Sequence, residues 1–241
     1  MATKSRGKLD DTLAAMFSNP KYSSNYLFYA HMVGQCSIKI REDLPAAAGV
    51  SFVNDHYELY INPERFDKEP LEERLGTIKH EMLHILGGHL TVRFTEVLKK
   101  NVMKWNYGTD CAINQQIEPS HVGKNWVTPE TLSKFYGFEF PKNLSSEEYY
   151  NLLPDDNGND DGNGNGGSGN GKQDNNNLGN GKPELADSHE TWKESTGDAD
   201  LQKDITKKMI EKAQEETIKG RGNVPAQVSK WLELFSAKSQ I

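Results

Sequence analysis

The residues with the clearest chemical potential are the two histidines and the glutamate of His80-Glu81-Met82-Leu83-His84. Side chains four residues apart lie on the same face of an α-helix, so both imidazole rings could bind one divalent cation. Such an ion lowers the pKa of a bound water to about 7, and Glu81 could then accept the proton. The spacing therefore predicts metal-assisted hydrolysis, with His80 and His84 as ligands of Zn²⁺ and Glu81 as the catalytic base.

The segment that carries these residues, 71–86, has the apolar periodicity of a buried helix, and Gly87-Gly88 predicts its end. Imidazole and carboxyl groups are costly to bury in such a helix unless they have a role. A structural zinc site would need four protein ligands, usually with several cysteines. The two cysteines, Cys36 and Cys111, are isolated, so an open catalytic site is the better interpretation.

The elements before this helix predict a small sheet. Residues 49–53 and 57–61 are rich in β-formers and flank Asn54-Asp55, which predicts a hairpin, and residues 36–40 alternate as a half-buried strand does. A hairpin followed by the active-site helix is the order found in zincin peptidases. We therefore expect an α+β, zincin-like domain with a small mixed sheet, an HExxH active-site helix and several flanking helices. The flanking helices are predicted at residues 9–17, 26–33, 103–117, 201–220 and 224–235.

Two residues compete for the position of third metal ligand. His89 follows Gly87-Gly88, but in a continuous helix it would face about 140° away from His84. Asp110 lies on the next predicted helix with Asn114 four residues later, as in gluzincins, where a second helix supplies an acidic ligand and a supporting side chain. Asp110 could instead cap that helix. We favour Asp110 and keep His89 as the alternative ligand.

Composition divides the chain into three parts. Residues 1–153 carry most of the apolar mass, residues 154–183 consist almost entirely of Gly, Asn and Asp, and residues 184–241 are helical in pattern. The middle part cannot bury enough apolar surface to order itself, so we predict a flexible insertion. The first and last parts should form one domain. The helix predicted at residues 224–235 should pack on the core, with binding of a protein partner as the alternative.

Charge and hydropathy exclude several classes of function. The net charge of −7 and the pI near 5.6 argue against a nucleic-acid partner, because no basic surplus is available to neutralise phosphates. No apolar stretch reaches the roughly 18 residues of a membrane span, and the charged N-terminal residues do not resemble a secretory signal. With two isolated cysteines, this composition predicts a cytoplasmic protein.

Several motifs together resemble the putative metallopeptidase domain of bacteria and phages. That family has an HExxHxxxxH helix, as in HEMLHILGGH here, followed by an Asp with an Asn four residues later. Its later His-Glu-x-Trp and Gly-x-x-Pro elements resemble residues 189–192 and 222–225. A von Willebrand A-like domain follows in many bacterial members. None is found within these 241 residues, so we expect the stand-alone form.

The resemblance implies a zinc peptidase-like fold that acts on a protein or peptide, with Asp110 as a site residue. It also points to His189, because peptidases of the gluzincin type often use a second histidine to stabilise the oxyanion. His189 could equally be a surface or capping residue. The alternative function is a non-catalytic metal-binding scaffold or interaction protein, encoded by a phage and acting on a host partner.

Overall fold

The computed structural model describes residues 6–90, 92–94, 101–155, 183–186, 191, 192, 195 and 199–236. Most of the predicted insertion at residues 154–183 lies outside these ranges, and so does His189. Within them the chain forms a mixed α+β fold with a small three-stranded sheet and helices around it. This confirms the predicted α+β class with a small sheet and several helices.

The sheet contains β1 (Ser37–Ile40), β2 (Ala48–Val53) and β3 (His56–Ile61) in the order β1-β3-β2. β1 pairs with β3 in parallel and β2 pairs with β3 antiparallel, so the sheet is mixed, as predicted. Asn54 and Asp55 form the hairpin turn with φ angles of 49° and 61°. Positive φ at both central residues is typical of a type I′ turn, which matches the twist of the two strands.

The helices of the described residues surround this sheet, and no helix among them is both long and apolar enough to cross a membrane. Three short ones, α3 (Pro63–Phe66), α6 (Pro129–Tyr136) and α7 (Ser146–Leu152), were not predicted, because so few turns give little periodicity. Capping boxes at Thr128 and Ser145 begin α6 and α7. The helices are α1 (Leu9–Ser18), α2 (Ser23–Val33), α3 (Pro63–Phe66), α4 (Leu71–Leu86), α5 (Val102–Asn114), α6 (Pro129–Tyr136), α7 (Ser146–Leu152), α8 (Ala199–Lys219) and α9 (Val228–Ser236).

Helix α4 runs through the middle of the molecule and has the bounds predicted from its periodicity. It packs against α1, α2, α5 and α8, against β2, and against a 3₁₀ turn at Pro119–His121. Every residue from Arg74 to Leu86 is buried. Glu72 and Glu73 lie in its first turn, where negative charge stabilises the helix dipole.

A largely buried polar cluster beside α4 consists of Lys79, Glu118, Tyr26 and His121, of which Glu118 is half-buried. Lys79 Nζ lies 3.2 Å from Glu118 Oε2, and the hydroxyl of Tyr26 contacts both Glu118 and His121. The helix approaches the 3₁₀ turn so closely that a Cβ on Gly76 would lie 2.0 Å from the carbonyl oxygen of His121. The cluster therefore joins α2, α4 and the 3₁₀ turn.

Helices α5 and α9 bear on two alternatives that the sequence leaves open: whether Asp110 caps its helix, and whether the last helix packs on the core. Helix α5 begins at Val102, where the side chain of Asn101 accepts a hydrogen bond of 3.0 Å from the N–H of Lys104. Asp110 is therefore an interior helical residue and does not cap the helix. The apolar face of α9 is buried in the core, so this face is not available to a protein partner. The buried residues of α9 are Val228, Trp231 and Phe235.

Candidate metal centre

His80 and His84 lie one turn apart on α4, and their rings converge. The two Nε2 atoms are 2.9 Å apart, the ring centroids are 4.5 Å apart, and neither side chain has exposed surface. Because each ring directs Nε2 towards the other, both nitrogens face the same small volume. The helix thus arranges the two imidazoles as the i, i+4 spacing predicted.

Asp110 approaches this pair from α5. Its Oδ1 lies 3.3 Å from His84 Nε2 and 3.8 Å from His80 Nε2, and the carboxyl group is fully buried. The three ligand atoms all lie within 4.8 Å of one another. Among the described residues, His80, His84 and Asp110 are the members of this potential metal-binding group.

The geometry of these three residues fits a divalent cation. In a tetrahedral site with bonds of about 2.1 Å, the ligand atoms are roughly 3.4 Å apart. The observed separations of 2.9, 3.8 and 3.3 Å lie on both sides of that value. Two imidazoles and a carboxylate are also donors that first-row divalent metals prefer. The residues present could therefore hold such an ion with little rearrangement.

The orientation of His80 is fixed by Asn114, four residues after Asp110. Asn114 Nδ2 donates a hydrogen bond of 2.9 Å to the carbonyl oxygen of Val127, which turns its Oδ1 towards His80. This oxygen lies 2.8 Å from His80 Nδ1, so Nδ1 must carry the proton and donate it. The lone pair of His80 then lies on Nε2, the nitrogen that faces Asp110 and His84.

The chain after the insertion supplies one wall of the site. The backbone N–H of Ala186 donates a hydrogen bond of 3.2 Å to Asp110 Oδ2, and the hydroxyl of Tyr107 donates to the carbonyl of Pro183. Hydrogen bonding to the carboxylate favours its charged form, the form that binds a metal. Residues 183–186 therefore lie beside the site.

Two tryptophans cover the imidazole rings. The ring of Trp126 lies 5.5 Å from that of His80, and the ring of Trp192 lies 5.0 Å from that of His84. Glu81, on the same helix as the histidines, is also fully buried. The sequence points to Trp192 only as part of the His-Glu-x-Trp element and does not point to Trp126. Neither position has a local pattern that indicates its neighbours in the fold.

The two remaining candidates, His89 and His189, differ in what the structure describes. His89 is buried with its Nδ1 3.1 Å from Nδ1 of His84, on the edge of that ring that faces away from Nε2. It is not a member of the group formed by the two Nε2 atoms and Asp110. His189 lies outside the described residues, although Trp192 of the same sequence element contacts the site.

A comparison with known protein families agrees with this geometry. A family model described as a putative metallopeptidase domain matches residues 29–238. That range includes every residue of the candidate site and the insertion. No curated protein matches the chain significantly, and neither does any solved structure.

Proposed function

Because the chain belongs to the family of putative metallopeptidase domains, we propose that it is a zinc-dependent peptidase of the HExxH type with a zincin-like fold. In this proposal His80, His84 and Asp110 hold the ion, and Glu81 is the catalytic base. The convergence of the three buried ligand atoms is the observation that carries it, and the buried Glu81 follows His80 directly on α4. The substrate class is a protein or peptide.

A divalent cation in this position supplies Lewis acidity, which polarises a carbonyl group and makes water a stronger acid. The protein supplies the remaining functions. Glu81 accepts a proton from the attacking water and transfers it to the leaving amine. Asn114 keeps the proton of His80 on Nδ1, and the N–H of Ala186 holds the carboxyl group of Asp110 in place.

Asp110 is the proposed third ligand, and His89 is the less favoured alternative. An ion shared by the two Nε2 atoms would be bound at Nε2 of His84, whereas His89 contacts Nδ1, the other nitrogen of that ring. Asp110 Oδ1 instead lies within 3.8 Å of both Nε2 atoms. His189 is proposed to stabilise the oxyanion, so His189→Ala should slow cleavage without changing the zinc content.

Contacts between the first and last parts of the chain bear on the domain organisation. We propose that residues 1–153 and 184–241 form one domain, interrupted by the insertion at 154–183. The hydroxyl of Thr191 donates a hydrogen bond of 2.7 Å to the carbonyl of Val50 in β2, and α8 packs against α2. Such contacts between the first and last parts support a single folded unit.

Metal analysis tests the ligand set. After dialysis against zinc and then against buffer, the wild-type protein should retain about one zinc ion per chain. Asp110→Asn preserves the size of the side chain and an oxygen acceptor for Ala186 but removes the charge, so zinc should be lost. Retention of stoichiometric zinc by both His80→Ala and Asp110→Asn would contradict the site.

Peptide cleavage tests the mechanism. A library of unstructured peptides is incubated with the zinc-loaded protein, and the products are identified by mass spectrometry. Glu81→Gln should keep the zinc and abolish cleavage, because the amide cannot accept the proton. Glu211→Gln, an exposed residue of α8, is the matched control and should leave cleavage unchanged.

The alternative function, a non-catalytic metal-binding scaffold, is favoured by one observation. His80, Glu81, His84 and Asp110 have no exposed surface, as is usual for a structural ion. A wild-type protein that binds zinc, cleaves no peptide and keeps its biological effect after Glu81→Gln would establish this alternative.

A further inference from the structure

His89 reaches the candidate metal centre because the chain reverses directly after α4. Gly88 has a φ of +64°, its N–H donates to the carbonyl of Ile85 at 3.0 Å, and the N–H of His89 donates to the carbonyl of His84 at 3.1 Å. This pair of hydrogen bonds is the Schellman motif, which brings the second residue after the C-cap Gly87 beside the last turn of the helix. The side chains of His89 and His84 therefore meet.

The glycine at position 87 is required by the ring of His89. Gly87 has φ and ψ angles of −75° and −11°, which any residue can adopt. A Cβ at this position would nevertheless lie 2.5 Å from Nε2 of His89. The two glycines thus have different tasks: Gly88 allows the reversal of the chain, and Gly87 leaves space for the imidazole ring.

A chain of three buried polar side chains runs outward from the site. Nδ1 of His84 lies 3.1 Å from Nδ1 of His89, and Nε2 of His89 lies 3.1 Å from the hydroxyl oxygen of Ser146. His89 and Ser146 are each only 1% exposed. Two facing imidazole nitrogens form a hydrogen bond only if one of them carries a proton and the other does not.

The metal site sets the direction of these hydrogen bonds. If Nε2 of His84 presents its lone pair to an ion, Nδ1 of the same ring carries the proton and donates it to Nδ1 of His89. The proton of a neutral His89 is then on Nε2, which donates to Ser146, and Arg93 Nη1, 3.3 Å from that nitrogen, donates instead to the carbonyl of Gly87. Because a neutral imidazole is uncharged, His89 orients His84 without adding a further negative charge to a buried site that already contains Asp110.

We propose that His89 is a positioning residue that accepts a hydrogen bond from Nδ1 of His84 and so keeps Nε2 of His84 as the metal-binding nitrogen. This role rests on the proposed zinc site. It differs from that of a ligand, because His89 acts through His84 and does not touch the ion. Partners of this kind typically change metal affinity 10–100-fold.

Zinc affinity, measured in competition with a chromophoric chelator, tests the proposal. His89→Ala should bind one zinc ion with an affinity about 10–100-fold lower than the wild type. His89→Gln can present a carbonyl oxygen to His84, so it should recover part of the loss. An affinity of His89→Ala equal to that of the wild type would overturn the proposal.

Gly87→Ala provides a test that leaves His89 itself intact. The added methyl group displaces the ring of His89, so zinc affinity should fall as in His89→Ala. Gly34→Ala is the matched control, because Gly34 ends α2 with similar angles of −60° and −12° and a Cβ there would be 3.6 Å from its nearest neighbours. A loss of affinity in Gly34→Ala equal to that in Gly87→Ala would contradict the interpretation.

Nitrogen NMR of the zinc-loaded wild-type protein tests the direction of the hydrogen bonds. We expect protons on Nδ1 of His84 and on Nε2 of His89. Arg93 Nη1 also lies 3.3 Å from His89 Nε2, and an Arg93 that donates to this nitrogen would place the proton of His89 on Nδ1. That pattern, or a metal-induced shift of a His89 nitrogen, would overturn the proposal.

The two proposals fail in different ways. A wild-type protein that binds no zinc would overturn the proposed function together with the role of His89. A wild-type protein that binds zinc through His80, His84 and Asp110, with an affinity unaffected by His89→Ala, would overturn only the role of His89. If His89→Ala fails to fold, His89→Gln, Gly87→Ala and the NMR spectrum of the wild type still decide the question.

Discussion

Helix α4 contributes residues to two polar clusters that balance their charges in different ways. In the first, the cation of Lys79 lies 3.2 Å from the carboxylate of the half-buried Glu118. At the candidate metal centre, the carboxyl group of Asp110 lies with the imidazoles of His80 and His84, and all three side chains are fully buried. The first cluster contains its own cation, whereas the second has the composition of a site that a divalent cation would neutralise.

The pKa values of the first cluster reflect this pairing. Burial alone would raise the pKa of Glu118, but the hydrogen bond from Tyr26 and the charge of Lys79 outweigh it and keep the pKa low. Burial lowers the pKa of Lys79, and Glu118 opposes that effect. The pair is thus held in its charged form.

A third carboxyl group, that of Glu69 just before α4, has weaker compensation. Burial raises its pKa to about 7, while a hydrogen bond from Thr77 and the charge of Arg74 only partly oppose the rise. Three carboxyl groups that contact residues of α4 therefore differ in the group that compensates their negative charge. Glu118 has a lysine, Asp110 has the proposed ion, and Glu69 relies chiefly on a hydroxyl group.

The largest expected effect is the stabilisation that zinc gives to the folded protein. At a free zinc concentration about 1,000 times Kd, the free energy of unfolding should rise by about 4 kcal/mol. Asp110→Asn should abolish this increment, whereas Lys79→Met should keep it. Urea denaturation with and without zinc measures the difference. An increment that survives Asp110→Asn would remove the contrast between the two clusters.

The next effect is the loss caused by Lys79→Met. This change leaves the partly buried carboxylate of Glu118 without its cation, so the free energy of unfolding should fall by about 2–3 kcal/mol with or without zinc. Lys68→Met is the control, because the pair of Lys68 with Glu64 is exposed and should contribute less than about 0.5 kcal/mol. A loss that appears only in the zinc-loaded protein would show that the clusters are coupled.

The smallest effect is the pH dependence due to Glu69. A folded-state pKa of about 7, above the unfolded value of 4.5, makes the wild-type protein less stable as the pH rises through this window. Glu69→Gln keeps an acceptor for Thr77 and removes the charge. Its free energy of unfolding relative to wild type should increase by about 1–2 kcal/mol between pH 4 and pH 8.

Denaturation at several pH values measures this change, with the exposed Glu64→Gln as the control. The stability of Glu69→Gln relative to wild type could instead be independent of pH. The burial of Glu69 would then be compensated to the same degree as that of Glu118, which would contradict the difference between these carboxyl groups.

The sequence predicts those parts of the site that depend on one helix or one spacing. The i, i+4 spacing in α4 brings His80 and His84 together, and the same spacing in α5 relates Asp110 to Asn114. The hairpin was also predictable, because Asn54-Asp55 tolerates the positive φ angles that the turn requires. These features are local, so short-range rules describe them.

The remaining parts depend on contacts between distant segments. The position of His89 was judged from a continuing helix, whereas the reversal at Gly88 returns it to His84. Trp126 and Ala186 reach the site through the packing of segments far apart in the sequence. The pair formed by Lys79 and Glu118 likewise has no local signature. Short-range periodicity contains no information about such contacts.

The complete burial of His80, His84 and Asp110 has a kinetic consequence. An ion held by these residues can exchange with the solvent only while the surrounding side chains have moved apart. Its dissociation rate would then report how often the protein opens as well as how strongly the ligands bind. With a large excess of chelator, removal of the ion would proceed at a rate independent of the chelator concentration, because the slow step is a motion of the protein itself.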